Sequence, residues 1–242
     1  MVFSLKYVSL SWLICLILMS GCTSDDIPTP GANEGDRPVG SDYYPLTVNQ
    51  YAVYHVEDIR YSLRDGADTG QYQLLERVAD SLPGAGGEII YTLERYTRNL
   101  PDDAWALDSI WTARKSERRV VVVENNVPFV KLVFPLQAGT EWDGNALNSR
   151  PPQTYTLTLT DSTLQREIGL DSLLVQSRTV VQRQLETLVN DSVLVETYGP
   201  GVGLIYKKSR VVEYCADEDC IGQKQIEAGR IYRQTLIEHG KK

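Results

Sequence analysis

The chain has 242 residues and a net charge of −8, with 24 basic against 32 acidic side chains. No basic patch stands out, which makes nucleic acid and anionic lipid headgroups poor partners for its surface. Fourteen tyrosines and only two methionines, with many valines and threonines, favour strands over helices.

Residues 1–21 carry a single charged side chain, Lys6, followed by an apolar run from Val8 to Met19. That run is shorter than the roughly 20 residues a membrane-spanning helix needs and matches the core of a signal peptide. It ends in Leu18-Met19-Ser20-Gly21-Cys22, which resembles the lipobox of bacterial lipoproteins. The resemblance implies cleavage before Cys22 and acylation of its sulfur. Met19 departs from the pattern, which has leucine there. An ordinary secretory signal would want small residues at −3 and −1 of its cleavage site instead. Several acyl chains hold firmly, since each buried methylene contributes about 0.8 kcal/mol. Without residues 1–21 the balance is 23 basic against 32 acidic side chains, a net −9. Asp25 and Asp26 behind the cysteine resemble the acidic export signal of Bacteroidetes-type surface lipoproteins, or else belong to a solvated tether. Residues 22–42 therefore form the acylated cysteine and a linker rich in Pro, Gly, Asp, Asn and Ser, too polar to offset its ordering entropy.

The β domain is expected over residues 43–242. Tyr51–Tyr61 reads as a strand. The runs 71–80 and 88–98 flank Leu82-Pro83-Gly84-Ala85-Gly86-Gly87 and predict a hairpin. Residues 101–118 fit a helix start at Pro101-Asp102-Asp103, but Trp105, Leu107, Ser109, Trp111 and Ala113 alternate as in a strand, the preferred reading. Asn125-Asn126 lies between two apolar runs, 120–124 and 127–134, and suits a tight hairpin because Asn tolerates positive φ. Tyr44-Pro45-Leu46 and Phe134-Pro135-Leu136 echo one another, as if one strand-entry corner were used twice. Further runs fall at 153–165, 172–186, 188–198, 202–214 and 225–238. Tyr155, Leu157 and Leu159 alternate with threonines as in a half-buried strand. The glycines of 199–203 form a turn and lack the Lys-Ser/Thr of a phosphate loop.

Cys15 leaves with the signal and Cys22 takes the lipid. Cys215 and Cys220 remain, an even pair in an exported chain, and are expected to be bonded. The closed loop is short, so the bond contributes roughly 2 kcal/mol. The Pro-Leu corners, Gly139 and Trp142, and Gly201-Val202-Gly203-Leu204-Ile205 together resemble a group of uncharacterised Bacteroidetes-type lipoproteins. That resemblance implies a β-rich domain; Asn49-Gln50-Tyr51 departs from it, where Gly-Asn-x-Trp is expected.

Catalytic signatures are missing from the sequence: it contains no HExxH, GxSxG or Walker pattern. His55 and His239 are far apart; His55 near Asp58 is a base candidate, although a strand-surface histidine is the simpler reading. Glu141 and Asp143 flank Trp142, a candidate sugar-binding residue or else a core tryptophan. Asp217-Glu218-Asp219 fits a solvated turn better than a calcium site. No cofactor and no metal are expected.

Five triplets, opening at Asp80, Asp108, Asp161, Asp171 and Asp191, share the form Asp, hydroxyl residue, then an apolar residue or Thr. They resemble the acceptor motif for O-glycosylation in Bacteroidetes-type bacteria, which implies Ser81, Ser109, Ser162, Ser172 and Ser192 as candidate sites. Asp-Ser is also good turn chemistry.

The expected fold is all-β: one antiparallel, strongly curved sheet of about ten strands, as a half-barrel or sandwich, with Trp105, Trp111 and Trp142 largely buried. The expected role is a non-enzymatic binding or assembly component lipid-anchored to the outer membrane, facing the periplasm or the exterior. Its expected partners are the membrane, through the anchor, and a protein or an apolar ligand held by the curved sheet. A glycan binder or glycan-acting enzyme is the further alternative.

Overall fold

The structure is a computed structural model that describes residues 39–85, 88–160 and 176–242. The expected signal, Cys22, most of the linker, and Ser162 and Ser172 lie outside the described residues. Twelve strands form one antiparallel sheet that nearly closes into a barrel. In chain order they are β1 Gln50–Ser62, β2 Gly66–Pro83, β3 Ile89–Arg98, β4 Ala106–Lys115, β5 Arg119–Glu124, β6 Val127–Val133, β7 Glu141–Asp143, β8 Thr154–Leu159, β9 Arg178–Glu186, β10 Asn190–Gly199, β11 Gly203–Tyr214 and β12 Ile226–Lys241. The all-β expectation holds, and residues 101–118 supply a strand, β4, rather than a helix.

Every ladder but one joins strands consecutive in sequence; the exception is β1 with β12, at the middle of the sheet. The two edges, β6 and β7, follow one another in the chain and face each other across a seam. Three hydrogen bonds bridge it in place of a ladder. The Val130 amide donates to the Gly144 carbonyl (3.0 Å), Trp142 Nε1 donates to the Val130 carbonyl (2.8 Å) and Asn148 Nδ2 donates to the Pro128 carbonyl (2.8 Å). Gly144 is required here by space: a Cβ on it would lie 2.2 Å from the Tyr155 ring.

Curvature comes from irregular pairing. Among the described residues, seven ladders carry register shifts, and each extra residue bends its strand and increases its twist. Asn125 and Asn126 take φ of 49° and 66° in the β5–β6 hairpin, as the tight turn demands. The alternation of β4 breaks at the shift opposite Arg95 and Tyr96, which leaves Leu107 exposed.

The sequence echo has a structural counterpart. Residues 39–46 cross the end of the barrel where β4 and β6 finish and β11 starts. Lys115 Nζ donates to the carbonyls of Ser41 (3.2 Å) and Tyr44 (3.0 Å), the Gly201 amide donates to Asp42 O (2.9 Å), and the Leu136 amide donates to Val39 O (3.2 Å). Leu46, Phe134 and Leu136 enter one buried cluster with Leu93, Leu157 and Val180. This closes the barrel with an apolar floor; burying each such side chain stabilises by about 1.5–3 kcal/mol. A second cluster, with Tyr54, Val56, Leu74, Ile205 and Leu236, packs β1 and β2 against β11 and β12.

The tryptophans correct an expectation, since Trp105, Trp111 and Trp142 are all only half-buried. Trp105 precedes β4 beneath the Arg98 guanidinium, 4.2 Å away. Trp111 packs against the buried cluster on one side and lines open interior space on the other, and Trp142 packs against the same cluster at the seam.

Candidate functional site

Cross-strand register places one residue face of each strand toward the barrel interior. Glu76 pairs with Arg95, Arg95 with Ser109 and Leu93 with Trp111; Glu196 pairs with Lys207, and Lys207 with Gln234. Above the apolar floor these positions form a charged tier. Lys131 Nζ lies 2.6 Å from Glu124 Oε1 and 2.7 Å from Glu196 Oε1, and Lys207 Nζ is 3.0 Å from Glu196 Oε1. Tyr198 OH donates to Glu196 Oε2 (2.7 Å). Arg95 Nε is 3.3 Å from Glu76 Oε2, and its guanidinium stacks on Trp111 at 3.7 Å. Glu196 is 2% exposed and Lys131 6%, so each carries a large desolvation penalty that only its partners offset.

The titration directions follow that competition. Burial alone would raise Glu196, but Lys131 and Lys207 outweigh it and hold the carboxyl well below the usual range. Glu124 behaves likewise and is also held down. Burial would lower Lys131, yet Glu124 and Glu196 push it well above an ordinary lysine. Glu76 differs: burial dominates, Arg95 only partly offsets it, and its carboxyl is raised.

Beyond this tier the interior opens into a chamber of about 500 Å³ at the end of the barrel opposite the floor. Phe129 and Tyr155 contribute aromatic faces, and Asn145, Gln153 and Gln182 contribute amides. Five cations, Lys131, Arg150, Lys207, Lys208 and Arg230, line it against one acid, Glu124. A second space of about 300 Å³, walled by Trp111, Thr97 and Tyr72, shares Asn125, Lys207, Ser209 and Arg230 with the first. Arg230 is held by Asp58, through Nε to Oδ1 (2.6 Å) and Nη2 to Oδ2 (2.9 Å). Burial would raise Asp58, but Arg230 and Arg60 together hold it below its ordinary value.

Three donors on these walls make no hydrogen bond among the described residues: Trp111 Nε1, Gln182 Nε2 and Arg95 Nε, the last in ion-pair contact with Glu76. A buried donor left unpaired costs about 1–3 kcal/mol.

The residues singled out in the sequence fall elsewhere. His55 and Asp58 lie on opposite faces of β1, because Asp58 points inward to Arg230, so they form no catalytic pair. His239 is exposed within β12 rather than beyond the last strand. Trp142 donates its indole N–H to Val130 and packs edge-on against Tyr155, with ring centroids 6.0 Å apart, a structural position at the seam. Cys215 and Cys220 are disulfide-bonded. Cys215, Asp217, Cys220 and Glu227 place ligand-type atoms within 4.8 Å of one another, but the two sulfurs are spent on each other. Ser81 lies within β2, Ser109 within β4 and Ser192 within β10, so the triplets at Asp80 and Asp191 are not the inter-strand turns expected. Asp191 is engaged by Arg210 and by Tyr214 OH, a structural use that accounts for its burial.

The charged tier escaped the sequence reading. Its members are single residues on six strands, and strand alternation separates two faces without saying which is inside. Lys131 is further disguised by a bulge: Val120 pairs with Leu132 and Val121 with Val130, leaving Lys131 unpaired in the ladder. The chain matches no family model, no curated protein and no solved structure.

Proposed function

We propose that the protein is a lipoprotein anchored to the outer membrane through Cys22, and that its β domain is a non-enzymatic binding component that takes a small molecule into the barrel chamber. The observation that carries this reading is the chamber itself: about 500 Å³, within the range of small-molecule sites, floored by packed apolar side chains and walled by convergent polar ones. The lipobox-like Leu18–Cys22 stretch supports the anchor, and the polar segment behind it supports a tethered domain. An apolar cargo suits the chamber poorly, because binding it would strip water from charged walls without replacing the hydrogen bonds lost.

Two measurements test the two halves. Mass spectrometry of the mature N-terminus is expected to find an acylated Cys22, and Cys22→Ala is expected to leave the protein unprocessed or released; another N-terminus would end the anchor reading. Native mass spectrometry of protein taken from its own host is expected to show a bound small molecule, displaced on unfolding. Protein recovered only as the bare lipidated chain, together with failure to bind any small molecule offered, would refute the binding reading.

A further inference from the structure

We infer that the chamber selects an anionic, hydroxyl-rich small molecule: a carboxylate- or phosphate-bearing sugar or a compound of that chemistry. This rests on the reading of the chamber as a binding site and specifies what it takes. Two independent observations point the same way.

The first is charge. A chain of net −8 places five cations against one acid on the wall of this chamber. Low-dielectric walls concentrate such a field inside a cleft and attract the opposite charge. Most of these cations already have acid partners within the fold. Arg150 has no carboxylate partner among the described residues. Its guanidinium lies 5.1 Å from the Phe129 ring centroid, exposed in the β7–β8 connection at the open end of the barrel. A guanidinium preorganised by an aromatic face is suited to bidentate capture of a carboxylate or phosphate.

The second is hydrogen-bond deficit. Gln182 Nε2 on the chamber wall, and Trp111 Nε1 and Arg95 Nε on the wall of the adjoining space, make no hydrogen bond among the described residues, and all three are donors. Gln182 is only 8% exposed, and its main-chain carbonyl accepts a hydrogen bond from Gln153 Nε2 at 2.7 Å. What the walls lack is acceptors, and oxyanions and sugar hydroxyls supply them. Phe129 and Tyr155 offer flat apolar faces on which a sugar ring packs. An uncharged apolar guest would satisfy neither the cations nor these donors.

The test is a calorimetric titration of the full-length protein with glucuronate, glucose 6-phosphate, glucose and palmitate. Glucuronate or glucose 6-phosphate is expected to bind at least tenfold more tightly than glucose, with affinity falling as salt is raised. Arg150→Gln is expected to weaken the anionic probe about tenfold while leaving glucose unchanged. Gln182→Met, which keeps the volume and removes the donor, is expected to weaken both sugars. Glucose binding as tightly as the anions, or palmitate binding most tightly, would overturn the anionic assignment while leaving the chamber as a binding site. Binding of no probe would overturn the assignment and, with no native small molecule recovered, the binding reading beneath it.

Discussion

The two ends of the barrel are built from the same strands yet solve opposite problems. At the floor, Val122, Leu132, Tyr198 and Leu204 meet as packed, mostly apolar surface, and stability comes from excluded water. A few residues further along, the same strands turn Glu196, Lys131, Glu124 and Lys207 inward, and each charge depends on the others to remain buried. The floor tolerates the loss of one side chain by partial collapse; the charged tier does not tolerate the loss of one partner. The difference separates apolar packing from paired buried charge. Burial of charge contributes little net stability, which agrees with the binding role proposed for the chamber.

Substitutions that strike the two ends differently sharpen this contrast. Lys131→Met should have the largest effect, about 3–5 kcal/mol, because it leaves Glu196 and Glu124 facing each other with only Lys207 between them. Urea unfolding at neutral pH measures it; a loss under about 1 kcal/mol would mean that the tier is solvated. Leu157→Ala, in the floor, should cost about 2–4 kcal/mol through a cavity, with no dependence on pH.

The pH response separates the ends again. Glu196 and Glu124 have depressed folded values, so their stabilisation is present above the ordinary carboxylate value of 4.5 and is lost as pH falls below it toward the folded values. Glu76 has the opposite sign: its raised value contributes stability at low pH that is lost as pH rises through it, a partial offset. Unfolding free energy measured from pH 7 to pH 3 should therefore fall on the acid side in the wild type. The fall should persist in Leu157→Ala and flatten in Glu196→Gln. Equal slopes in all three proteins would remove the tier from the acid response. The smallest effect is expected at the seam, where Trp142→Phe loses the bond to Val130 and should cost about 1 kcal/mol. Amide exchange at Val130 should rise with it, while the β1–β12 amides stay protected.

Much of the fold was legible because strands advertise themselves. Alternation in Tyr155 to Leu159, the Asn125-Asn126 turn, the Pro/Gly cluster after Leu82 and the cysteine pair each placed an element correctly. The two Pro-Leu corners read only as one strand-entry corner used twice; that Leu46 and Leu136 share one buried cluster was not legible. β7 was missed because three residues are too few to show a period, and β2 and β12 run longer than their apolar patterning because polar stretches continue the ladders. The chamber was hidden for a different reason. In an open sheet the face carrying Glu76, Arg95, Glu124 and Lys207 would be the solvent face. Only closure of the sheet turns it inward, and closure depends on bulges and on a seam that local pattern does not encode.

The most direct test of a barrel divided into a dry floor and a wet, cationic chamber is thiol accessibility. Cysteine is placed on the chamber wall by Ser209→Cys and in the floor by Val180→Cys, with wild-type background subtracted. Each is treated with anionic and cationic methanethiosulfonate reagents of similar size. The account predicts fast reaction at position 209, faster with the anionic reagent and with the preference shrinking as salt rises, and protection at position 180 until unfolding. Equal reactivity at both positions, or a preference for the cationic reagent at position 209, would contradict it.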